Sequence, residues 1–146
     1  MNIELKNIKY SAFASQETNC FSASIYIDGH KRGTVENSGH GGCDNITPWQ
    51  LGKEIEEYAK TLPSEEFEGH TLPESADTLI GGLLNKWLED RDLKRLCKKN
   101  VLFRKPTETY KAGEYCTLKG TYSIDAARFL RGKYGEKVEI VNERFL

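Results

Sequence analysis

The sequence predicts an α+β fold, and three observations carry that expectation. Residues 18–28 alternate apolar and polar side chains with a period of two and run into Asp28-Gly29, a strong hairpin signal. Residues 51–62 and 75–99 carry apolar side chains at steps of three and four, the helical period. Beyond residue 100, short alternating runs return. The expected order is an N-terminal three-stranded antiparallel meander, two central helices and a C-terminal β-β-α-β arrangement, all in a single domain over 1–146.

The first strand covers Ile3 to Tyr10, where alternation slips by one step near Lys6-Asn7 and calls for a bulge. In the second, Phe21, Ala23, Ile25 and Ile27 share one face, with Cys20, Ser22, Ser24 and Tyr26 on the other. The return strand is expected from Arg32 to Asn37. Thr47, Pro48 and Gln50 read as N-cap, first helical residue and capping-box partner of a helix. Leu51, Ile55, Tyr58 and Leu62 form its apolar face, and Pro63 with the acidic run behind it ends it. A second helix is expected from Ser75 to Lys99, with Ile80, Leu84, Trp87 and Leu88 in one stripe. Its Gly81-Gly82 pair points to close packing or to a later helix start, and Asp90-Arg91-Asp92 marks a potential break. Strands follow at Val101 to Arg104 and Glu114 to Leu118. Ser123 caps a helix from Ile124 to Lys133, Gly135 ends it, and a last strand runs through Lys137 to Phe145.

Composition narrows the function classes. With 38% hydrophobic and 29% charged residues, the chain matches a globular protein rather than a disordered one. A net charge of −1 argues against a wholly basic protein. No stretch has the roughly 18 apolar residues of a membrane span, and residues 1–10 lack a signal peptide's apolar core, so no membrane association and a cytoplasmic location are expected. Cys20, Cys43, Cys97 and Cys116 form no CxxC pair and are expected to be reduced and partly buried.

Two segments could carry function. Ser38, Gly39, His40, Gly41, Gly42, Cys43 and Asp44 form a glycine-rich loop just before a helix start. Such a loop can turn backbone N–H groups toward an anion, and His40 could donate to a phosphate. It matches neither dinucleotide nor P-loop patterns, so a tight strand-to-helix connection is the leading explanation and ligand binding the alternative. His40, Cys43 and Asp44 lack the paired spacing of a zinc site, and Cys43 beside His40 makes a weak nucleophile pair. No metal, no cofactor and no catalytic residue is expected.

The second segment is basic. Arg91, Lys94, Arg95, Lys98 and Lys99 recur on one helical face, and Arg104 and Lys105 follow. Residues 91–105 hold seven bases and one acid, whereas residues 54–77 hold eight acids and one base. A stripe of this kind docks on an acidic protein or neutralises phosphates, or is simply a solvated face. No aromatic residue interleaves it in the sequence.

The runs KNIKYSAFASQETNCFSASIYIDGHKRGTVENSGHGGCDN and KNVLFRKPTETYKAGEYCTLKGTYSIDAARFLRGKYG together resemble small uncharacterised accessory proteins of bacteriophages, plasmids and other mobile elements. The resemblance covers nearly the whole chain and brings no catalytic residues with it. It implies a setting in which small proteins bind and inhibit a host defence component or sequester a nucleotide signal. The leading expectation is therefore a non-enzymatic binder of a host protein acting through a charged face. The alternatives are a nucleotide or phosphate-ligand binder (sponge or hydrolase) at the His40 loop and a nucleic-acid binder using the basic helix.

Overall fold

The computed structural model describes the backbone of all 146 residues and every side chain except those of 65–67 and 72. The chain is α+β, with three helices, a four-stranded and a three-stranded antiparallel sheet and a separate two-stranded hairpin. It divides into two compact units, residues 1–86 and 87–146, where a single domain was the expectation.

Unit 1 opens with β1 (Ile3–Ser11), β2 (Cys20–Ile27) and β3 (His30–Asn37), joined in that order and antiparallel. The bulge expected near Lys6-Asn7 is present: register shifts between Lys6 and Lys9, and Asn7 takes a φ of 54°. Asp28 and Gly29 both have positive φ, as a tight primed turn demands. The turn is so tight that β3 begins at His30, two residues before the expected start. A fourth strand, β4 (Asn45–Thr47), adds to β3 and corrects the three-stranded expectation. Thr47 consequently lies in a strand and does not cap the following helix. Pro48 occupies the cap position with no side-chain cap bond, after a cis Thr47–Pro48 bond, so the Thr47–Gln50 capping box is absent.

Helix α1 (Trp49–Ala59) buries Leu51, Ile55 and Ala59; Ala59 takes the place on the buried stripe expected for Tyr58, and Leu62 lies beyond the helix end. With Phe21, Ala23, Ile25, Ile27 and Val35 these residues supply the core of unit 1. The expected face of β2 is therefore the buried one. Gly33 lets β3 approach α1, because a Cβ there would run into the Thr47 carbonyl and the Leu51 side chain. Between the helices, β5 (Glu65–Phe67) and β6 (His70–Leu72) pair as a short hairpin where only an acidic terminating run was expected.

Helix α2 (Ala76–Cys97) is continuous through Asp90, Arg91 and Asp92, so the expected break does not occur. Its start is closed reciprocally: the Ser75 N–H donates to Thr78 Oγ1 (2.8 Å) and the Thr78 N–H donates to Ser75 Oγ (3.2 Å). A Cβ at Gly81 or Gly82 would meet open space, so neither glycine serves close packing.

In unit 2, β7 (Asn100–Arg104) is the centre of a sheet ordered β8-β7-β9, with β8 at Cys116–Lys119 and β9 at Glu139–Ile140. Helix α3 (Ile124–Tyr134) is capped as expected: Ser123 Oγ accepts from the Ala126 N–H at 3.0 Å, and Gly135 ends the helix at a φ of 94°. Val101, Phe103, Ala127, Leu130, Val138 and Ile140 form the core. The expected last strand over 137–145 is only two residues long, and Val141–Phe145 wind into a 3-10 helix. Asn142 explains the change. Its buried amide leaves the strand pattern, accepts from the Leu102 N–H (2.9 Å) and donates to the Cys97 and Asn100 carbonyls.

Candidate functional sites

The glycine loop is built around one side chain, Asn37. Its Oδ1 accepts from the Gly39 N–H (2.9 Å) and from Thr18 Oγ1 (2.8 Å), and its Nδ2 donates to Asp44 Oδ1 (3.1 Å) and the Gly42 carbonyl (3.4 Å). Thr18 Oγ1 in turn accepts from the Gly41 N–H. The Gly39 carbonyl accepts from the N–H groups of Gln16, Glu17 and Thr18. Positive φ at Gly39, Gly41 and Gly42 makes these turns feasible. At Gly39 a side chain is barred outright, since a Cβ would strike the Ala14 carbonyl and Cys20. Two of the N–H groups that could have cradled an anion thus bond inside the chain.

The charges around this loop are mostly negative. A Cβ at Gly41 would lie 2.6 Å from the Glu17 carboxylate. The Asp44 N–H donates to Asp77 Oδ1 at 3.3 Å. Burial, countered in part by the Asn37 hydrogen bond, raises the Asp44 carboxyl above its ordinary value, and Asp77 adds to the rise. The Cys43 thiol is exposed, yet its hydrogen bond to Asp77 and that carboxylate's charge hold it above the ordinary thiol value. Of the four cysteines, Cys43 alone is fully exposed, against the expectation of partial burial; all four are free thiols. His40 and Ser38 are exposed.

Beside the loop, the open face of the four-stranded sheet carries a groove of about 610 Å³. Its floor includes a row running across the strands, Lys9 opposite Ser22, Ser22 opposite Glu36 and Glu36 opposite Asn45. Ser38, Gly41 and Cys43 form one wall. Phe13, in the connection between β1 and β2, is 96% exposed.

The basic segment lies in unit 2. Lys94 and Arg95 in the last turns of α2, and Lys98 and Lys99 in the turn that follows it, are exposed and form no ion pair among the described residues. Arg91 is turned back on its own helix, 5.4 Å from the Trp87 ring and 3.6 Å from Asp92. Arg104 is a structural cation: its guanidinium donates to the Glu114 and Lys111 carbonyls and lies over the Tyr115 ring at 4.3 Å. Lys105 pairs with Glu108 at 3.4 Å. The seven expected cations therefore separate into four exposed ones without an ion pair among the described residues and three, Arg91, Arg104 and Lys105, with partners close in sequence.

Sequence reading missed what stands next to those four. Lys94 and Lys98 border a groove of about 420 Å³ whose other walls include Tyr122 and Phe145. The Lys94 ammonium lies 5.5 Å from the Phe145 ring. Leu96, between Arg95 and Cys97, is 51% exposed. Unit 2 holds fourteen Lys and Arg against nine Asp and Glu, a formal +5; unit 1 holds seven against thirteen, a formal −6.

Among the described residues, no three His, Cys, Asp or Glu side chains converge to hold a metal ion. No helix is long and apolar enough to cross a membrane. No family model, no curated protein and no solved structure matches the chain.

Proposed function

We propose that the chain is a non-enzymatic binding protein of a phage or other mobile element, which docks on an acidic face of a host protein through unit 2. One observation carries this reading: four exposed cations that form no ion pair among the described residues, Lys94, Arg95, Lys98 and Lys99, flank exposed Leu96 in sequence on a unit of formal +5. Protein interfaces combine an apolar centre with a polar rim, and an exposed leucine beside exposed cations fits that pattern. Side-chain chemistry supports binding over turnover. The Cys43 and Cys97 thiols and the Tyr110 and Tyr122 hydroxyls all shift upward, toward their unreactive protonated forms. Tyr110 is pushed up to about 12 by its hydrogen bond to Cys116. The resemblance to mobile-element accessory proteins supplies the host context and the suggestion that the partner is a defence component.

The test is affinity capture from nuclease-treated bacterial lysate, with wild type beside an Arg95→Glu, Lys98→Glu variant. The expected result is a stoichiometric acidic protein held by wild type, lost in the variant and weakened by salt. Capture that persists in the variant, or that nuclease removes, overturns the reading.

A second reading rests on the groove beside the His40 loop, where Lys9 and several hydroxyls offer donors to a nucleotide or other small polar ligand. Stabilisation by a nucleotide in a thermal-shift screen, lost in Lys9→Ala, would support it. The carboxylates of Glu17, Glu36, Asp44 and Asp77 oppose an anion there.

A further inference from the structure

We infer that the groove between Lys94 and Lys98 on one side and Tyr122 and Phe145 on the other takes an apolar side chain from an acidic, extended segment of a protein partner. The inference rests on the docking reading above and specifies what the docked segment looks like.

The polar floor of the groove is already satisfied. Asn142 donates to the Cys97 and Asn100 carbonyls and accepts from the Leu102 N–H. The Tyr122 hydroxyl donates to Glu143 at 2.9 Å. Neither asks an incoming group for a hydrogen bond, so what enters gains most by being apolar. The rim is different. Lys94 lies in the last turns of α2 and Lys98 in the turn just after Cys97, and both border the groove. Carboxylates two residues apart in an extended chain share one face about 6–7 Å apart, so one such segment can present an acid to each lysine. The side chains between and directly beside them point to the opposite face of such a strand, so the apolar anchor is the residue two positions beyond the acid pair, on their own face.

A single-stranded nucleic acid offers a similar charge spacing, but it wants open aromatic faces for its bases. Here the Lys94 ammonium already lies over the Phe145 ring. A base would have to displace that cation, whereas a carboxylate meets it directly.

The experiment titrates ¹⁵N-labelled full chain with a short synthetic peptide in which two glutamates and then leucine and tryptophan occupy every second position, with serine between them. A control peptide replaces leucine and tryptophan by serine, and an oligothymidylate serves as competitor. Backbone amide shifts at Lys94, Lys98, Tyr122 and Phe145 report binding. The apolar-acidic peptide is expected to bind, with the serine control weaker by ~10-fold or more. Lys94→Glu with Lys98→Glu is expected to weaken it by ~10-fold or more, and Arg95→Glu with Lys99→Glu by less than ~3-fold. All four side chains are exposed, so both variants are expected to fold, with circular dichroism as the check. Equal binding of the serine control, or sensitivity only to Arg95 and Lys99, overturns the groove while leaving acidic docking intact. No binding by either peptide, or displacement by oligothymidylate at lower concentration, removes both.

Discussion

Asn37 joins the glycine loop to the β1–β2 connection through four hydrogen bonds from one amide. Gly39, which accepts three N–H groups at its carbonyl, completes the junction. At Gly39 both the φ of 85° and the Ala14 carbonyl exclude a side chain. Gly39→Ala is expected to destabilise the protein by about 2–4 kcal/mol, read by urea denaturation. A loss under about 0.5 kcal/mol would show that the loop relaxes freely. Asp44 gives a pH-dependent counterpart. Burial raises its folded-state value above the ordinary 3.8, so the folded chain binds this proton more tightly than the unfolded chain. Its contribution is full below the ordinary value and is lost as pH rises through the raised one. Asp44→Asn mimics the protonated acid and keeps an oxygen for Asn37. The variant is expected to gain stability at neutral pH and to match wild type near about pH 3. A gain of equal size at both pH values would contradict the assignment to titration.

Elements show where local signals sufficed and where they did not. The β2 alternation and the Asp28-Gly29 turn fix the first hairpin, because both act between neighbours in sequence. Ser123 and Gly135 bound α3 for the same reason. Strand β4 was not legible: Asn45–Thr47 has only three residues, and its pairing with Thr34, Val35 and Glu36 exists only once the glycine loop has turned. The strand expected over 137–145 failed because Asn142 is held by β7, some forty residues away in sequence. The same limit hid the Lys94–Lys98 groove. Its cationic rim was visible as a helical stripe, but Tyr122 and Phe145 reach it only through tertiary structure. Gly81 and Gly82 were legible as helix-weakening residues, yet the space around them was not. Since a Cβ meets nothing at either position, Gly81→Ala and Gly82→Ala are each expected to stabilise by about 0.5–1 kcal/mol. Thermal denaturation checks this, and a loss of stability would mean the glycines serve a bend or a contact.

At the scale of the whole molecule the sequence already carried the charge asymmetry, though not its division between two compact units. A chain of formal −1 appears nearly neutral, but it joins a unit of −6 to one of +5. Two such molecules attract each other when the positive unit of one meets the negative unit of the next. The range of that attraction is set by the Debye length, about 30 Å at 0.01 M salt and about 8 Å at 0.15 M. Light scattering is therefore expected to give a negative second virial coefficient in dilute buffer that turns toward positive as salt is added. A coefficient insensitive to salt would mean that the charge of each unit is dispersed over its surface. The protein should accordingly salt in, dissolving more readily in moderate ionic strength than in nearly pure water. Purified by dialysis into dilute buffer it would cloud, and a modest addition of sodium chloride would clear it.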